Sequence, residues 1–207
     1  MKKVLFFFFA LVTCIGAFAQ GRCDFSTFNN GELDKSNNYI TCNNDEGWQA
    51  TNCMVVAGWD NSSQVEPNGY HNNLYGDNYN TISALVLTGK LNSEGKLTSP
   101  TLNGGCGKLT VNYGLANFSP NGCSIHVTVK QGDKPIQEFD IEEKPFEKNT
   151  AYTFEKDIDL AGDFTLEFRN NAPSGNLTKH RDRVAIWNIE WTGYGAAAKT
   201  VNSLAEL

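Results

Sequence analysis

The stretch "RVAIWNIEWTGY", Arg183–Tyr194, reads as a β-strand: β-branched and aromatic residues run through it and a glycine ends it. Successive side chains of a strand face opposite ways. Ala185, Trp187, Ile189 and Trp191 then share one face, while Val184, Ile186, Asn188 and Glu190 share the other. The first face is apolar and continuous, which assigns it to a core, each aromatic buried there contributing roughly 2–3 kcal/mol. The second begins apolar and ends polar, as where a sheet surface runs out towards a groove or solvent. Asn188 and Glu190 are its candidates for ligand contact, with Arg169 or Arg183 as charge partners; the plainer alternative is a hydrogen-bonded sheet edge. A strand of this kind closes a sandwich.

The same alternation runs upstream. It appears at 38–42, 48–56, 81–89, 96–102, 107–114, 123–130, 135–142, 151–160 and 163–170, each run bounded by Gly, Asn, Asp or Pro. "SPNG" (119–122) and "QGDKP" (131–135) punctuate hairpins. No segment sustains a helical period. Short strands at this spacing predict an all-β fold, a single jelly-roll β-sandwich of two antiparallel sheets.

Residues 1–19 stand outside the pattern. "MKK" is a basic head, "VLFFFFALVTCIGA" an apolar run, and Ala17-Phe18-Ala19 a small-x-small cleavage signal before Gln20. These are the parts of a secretory signal peptide, too short for a membrane anchor. A lipoprotein signal would use Cys14, and Thr13 is a poor residue to precede it. The expected organisation is a cleaved signal at 1–19, the sandwich at 20–194 and a short tail at 195–207. The mature chain is expected in the periplasm, on the outer surface or secreted, without a membrane span.

A formal net charge of -6 and no basic stripe argue against nucleic acid as a partner. The one basic group, "KHRDR" (179–183), contains its own Asp182 and reads as a solvated loop. Of 6 cysteines, Cys14 leaves with the signal, and Cys23, Cys42, Cys53, Cys106 and Cys123 remain. An exported chain permits disulfides, and the expected pairs are Cys53–Cys106 and Cys23–Cys42. No CxxC spacing supports metal or redox chemistry.

In order, the opening "CDF", "GWQATN", "GKLTSPTLNGGCGKLTVNYG" and "RVAIWNIEWTGY" resemble exported jelly-roll domains common in Bacteroidetes-type bacteria. More distantly they are similar to the MAM and choice-of-anchor β-sandwiches of extracellular proteins. The resemblance spans residues 23–194 through "LTSPTL" (97–102), "LTVNYG" (109–114) and "IWNI" (186–189). It implies an accessory or surface-recognition domain, and a shared fold does not fix a function.

Catalytic signals are weak. His71, His126 and His180 lie in no nucleophile or HExxH motif, and "HRDR" (180–183) is not the "DRGH" of secreted endonucleases. Asp157 and Asp159 share a strand face, where acidic residues mostly meet solvent; a glycan hydrolase is the remote alternative. Sugar sites pair an aromatic platform with a few placed polar groups. The polar stretch 58–80 is best stocked for that, and its candidates are Trp59, Asp60, Tyr70, Tyr75, Asp77 and Tyr79. The competing reading has these aromatics pinning a long loop. Oxygens at 43–46 and 59–63, with Asp182, suit a structural calcium, though no EF-hand spacing is present. No other cofactor is expected. The expectation is a non-catalytic module for an extracellular glycan, the rival being a structural or adhesive protein that contacts another surface protein.

Overall fold

The computed structural model describes residues 20–29, 41–56, 83–89, 94–115, 124–142, 152–171 and 183–195. Strands β1 (Gln20–Arg22), β2 (Cys42–Asn43), β3 (Gln49–Thr51) and β4 (Cys53–Val56) come first, with a 3-10 turn at Phe25–Thr27. There follow β5 (Ala84–Leu87), β6 (Lys96–Thr98), β7 (Cys106–Leu115) and β8 (Ser124–Gln131). The last four are β9 (Lys134–Glu142), β10 (Tyr152–Leu160), β11 (Thr165–Asn170) and β12 (Val184–Thr192). The first sheet has the order β10-β7-β12-β5-β4, with β1 also on β12; the second has the order β2-β3-β6-β11-β8-β9. Every pair is antiparallel. This is the all-β sandwich that the alternation predicted.

Period two explains the core. On β8, Ile125, Val127 and Val129 are fully covered while His126 and Lys130 are only half-buried. Val127 and Val129 lie opposite Phe168 and Leu166 of β11, so one apolar face continues from strand to strand. The first sheet answers with Leu85, Leu87, Leu109, Val111, Ile186 and Ile189. At one end, Trp191 sits between Trp48, at 6.3 Å, and the edge-on ring of Phe164, at 6.4 Å between centroids. Trp48 is held by a turn that Asn44 organises: its Oδ1 accepts the backbone N–H of Trp48 at 2.9 Å and of Glu46 at 3.1 Å. The β8–β9 hairpin turns at Gly132–Asp133, where Gly132 has φ +58, a region open to glycine.

The run 48–56, expected as one strand, is two. Asn52 adopts φ +49, a left-handed conformation asparagine tolerates, and there the chain passes from the second sheet to the first. Its carbonyl accepts Thr88 N–H at 3.1 Å, and the Thr88 carbonyl accepts Gly95 N–H at 2.7 Å. A β-carbon on Gly95 would fall 2.7 Å from Leu87 Cα and 2.8 Å from Asn52 O, so this corner requires glycine.

The closing strand corrects another expectation. Ile186 pairs with Tyr113 and Asn188 with Asn112, so Trp187 is the extra residue of a β-bulge. The bulge shifts the parity of everything before it. The core face is Val184, Ile186, Ile189 and Trp191, not the set that strict alternation groups together. Trp187 is not among the buried core residues; it is half-buried, and the register turns it to the outer face.

Neither expected disulfide is present: Cys23, Cys42, Cys53 and Cys106 stand as buried thiols. The neighbour of the Cys53 thiol is Cys42, not Cys106. Arg183, expected in a solvated loop, is only 2% exposed.

Candidate functional site

The bulge places an aromatic on the outer face of the first sheet, and the strands beside it supply polar partners. Opposite the bulge, Asn188 Nδ2 donates to Asn112 Oδ1 at 2.8 Å, and Asn112 Nδ2 donates to Thr153 Oγ1 at 2.7 Å. Three side chains on β12, β7 and β10 thus form one hydrogen-bonded row across the sheet. Register dictates it, since Asn188 faces Asn112 and Asn112 faces Thr153. Asn188 spends one donor within the row and Asn112 one acceptor and one donor, and both keep others for a ligand or water.

One row further along, Glu190, Thr110 and Glu155 lie side by side. Lys108 Nζ approaches Glu155 Oε2 at 3.3 Å, and Arg22 of β1 is the cross-strand neighbour of Glu190. Neither arginine expected beside Glu190 is there. Arg169 is exposed on the second sheet, beside His126 and Lys96. Arg183 precedes Glu190 by seven residues of strand, about 23 Å at the usual rise.

The outer face of the second sheet differs in kind. Lys130 Nζ bonds Glu167 Oε2 at 2.8 Å, and His126 Nδ1 lies 2.7 Å from Asp140 Oδ1. Burial pushes the Glu167 carboxyl up, but the Lys130 hydrogen bond and the charges of Lys130, Lys96 and Arg169 outweigh it and hold it below its ordinary value. Phe139, the aromatic on β9, stacks inward on Phe154 at 5.7 Å. An aromatic beside uncharged donors and acceptors occurs, among the described residues, on the first sheet.

Of the sequence candidates, Asn188 and Glu190 are brought together on one face. Trp59, Asp60, Tyr70, Tyr75, Asp77 and Tyr79 lie outside the described residues, as do Asp182 and residues 59–63. Trp187, Asn112 and Thr153 were missed. An asparagine one residue after a tryptophan in a strand is an ambiguous signal; only the pairing register shows both on one side. Of the oxygens considered for calcium at 43–46, Asn44 Oδ1 accepts two backbone N–H groups, and Glu46 Oε2 accepts Asp24 N–H at 3.1 Å. Among the described residues no group of three or more His, Cys, Asp or Glu is placed to hold a metal, and no helix is long and apolar enough to cross a membrane.

No protein-family model matches the chain, and no curated protein matches it in sequence. Among solved structures it is similar to a family 29 carbohydrate-binding module, at 14% identity and TM-score 0.44, covering 89% of this chain and 100% of that one. It is similar to a family 6 carbohydrate-binding module at 10% identity and TM-score 0.39, covering 81% and 95% of the two chains. A cleaved adhesin domain of Lys-gingipain from Porphyromonas gingivalis is similar at 13% identity and TM-score 0.39, covering 85% and 98%. Likeness of this degree carries nothing about a binding site, which has to come from the residues themselves.

Proposed function

We propose that this chain is an exported, non-catalytic module that binds an extracellular glycan on the outer face of its first sheet. The observation that carries the reading is the bulge at Trp187, which turns an indole out of the sandwich beside the Asn188–Asn112–Thr153 row. A pyranose has an apolar face of C–H groups and a rim of hydroxyls. An indole suits the first, and amides, hydroxyls and carboxylates suit the second, because each hydroxyl both donates and accepts. Glu190 and Glu155 add acceptors, Lys108 and Arg22 donors. Binding is an equilibrium step with no bond made or broken in the ligand.

The stretch 58–80 belongs to the same proposal on its composition. Trp59, Tyr70, Tyr75 and Tyr79, with Asp60 and Asp77, supply the same mixture of aromatic faces and polar groups.

The test is a glycan array probed with residues 20–207, wild type and Trp187→Ala. Glycan binding that the variant loses supports the reading. A blank array, or retained binding by the variant, refutes it and leaves the surface-protein rival.

A further inference from the structure

We propose that Cys42 and Cys53 form a disulfide that staples the second sheet of the sandwich to the first. Cys42 opens β2 at one edge of the second sheet, and Cys53 opens β4 at one edge of the first. The two edge strands touch, and Cys42 meets the Cys53 thiol through both its side chain and its backbone. The two side chains are thus neighbours across the two layers, as a disulfide between them requires. Both are buried, at 3% and 1% exposure, so no solvent thiol competes for either. On the Cys23 thiol burial acts first, then Glu46 and Asp24, and on Cys106 burial alone. The link brackets Asn52, the residue at which the chain changes sheets, so it would lock the crossing itself.

The chemistry is thiol–disulfide exchange. One cysteine thiolate attacks the disulfide of a thiol–disulfide oxidant, giving a mixed disulfide and releasing one reduced thiol. The second cysteine then attacks the protein sulfur of that mixed disulfide and expels the other. Two protein thiols lose two electrons and two protons, and the oxidant's disulfide gains both as two thiols. The thiolate is the attacking species, and in the finished fold the hydrogen bond from Cys42 and burial keep the Cys53 thiol neutral. The bond therefore forms as the strands close and not after. In the cell this rests on export to an oxidising compartment; the test does not, and it is independent of any glycan.

The full chain, reduced and unfolded, is refolded in mixed reduced and oxidised glutathione, then alkylated and digested. The expected product is a peptide holding Cys42 linked to one holding Cys53. The melting temperature should exceed that of protein refolded under reducing conditions by on the order of 5 °C. Cys53→Ser should abolish that difference; should this variant not fold, the peptide map of the wild type still decides. Alkylation of both residues, or linkage of either to another cysteine, overturns the proposal.

Discussion

Gly21 lies across from Trp191 in the β1–β12 pair, and a β-carbon on it would fall 2.7 Å from Trp191 Cε2 and 2.8 Å from Cη2. The indole occupies the space a side chain would need. It cannot retreat easily, because Trp48 and Phe164 pack on its other sides. Gly21→Ala is expected to destabilise the fold by about 1–3 kcal/mol, read as a lower denaturant midpoint at unchanged slope. Combining it with Trp191→Phe should cost less than the two separate losses summed.

The two tryptophans of the closing strand should separate stability from binding. Trp191→Ala opens a cavity in the core and is expected to cost about 3–5 kcal/mol. Trp187→Ala removes a half-buried ring on the outer face, and a stability loss of about 1 kcal/mol or less is expected. Glycan affinity should fall at least ~30-fold for Trp187→Ala, the loss of a hot-spot aromatic. Titration calorimetry on an array-identified sugar, beside a thermal melt, reads both. A large melting shift for Trp187→Ala would place that ring in the core after all.

Asn112 is the centre of the amide row, accepting from Asn188 and donating to Thr153. Asn112→Ala should change stability by only about 0.5 kcal/mol, since water replaces the lost partners at this surface. Affinity should drop ~10-fold, one hydrogen-bonding group's share of the binding energy. Asn112→Asp keeps the acceptor for Asn188 and loses the donor to Thr153. It should hold Asn188 in place and cost affinity only through what Asn112 donates, so the two variants apportion the row.

Acid should weaken the fold through Glu167. Its folded-state carboxyl titrates below the ordinary 4.5, chiefly because Lys130 bonds it against the upward push of burial. A depressed folded value means that the stability is fully present above the unfolded value near 4.5 and is lost as pH falls through the folded one. Lys130→Met should flatten that part of a stability–pH curve measured by urea unfolding between neutral pH and about pH 3. An unchanged slope in Lys130→Met would remove this pair as the cause.

The long strands β7 to β12 were legible because alternation and turn residues coincide there, and their ends differ from the sequence reading by a residue or two. What could not be read were single-residue events whose meaning is tertiary. Asn52 sits inside the run "WQATNCMVV", where one left-handed residue sends the chain to the other sheet without interrupting the apolar pattern. Trp187 is one inserted residue, and its insertion reverses which side of the strand before it faces in. The core place of Trp191 survives, because it lies beyond the bulge together with Ile189. Asn188 and Glu190 were read as outward and are so, whereas their partners Asn112 and Thr153 sit on strands whose register no local pattern states. The cysteine contacts belong to the same class: Cys42 and Cys53 meet because two sheet edges meet.

Gln20 and Thr192 are cross-strand partners, so the described body starts and finishes at one point of its surface. The path of the chain through the sandwich is therefore close to a ring, cut between its first and last strands. A short linker from the end of β12 to the start of β1 would close that ring, and new termini could be opened at the exposed Gly132–Asp133 turn. By the same geometry the body can be spliced into a surface loop of a host chain without pulling the host's two ends apart.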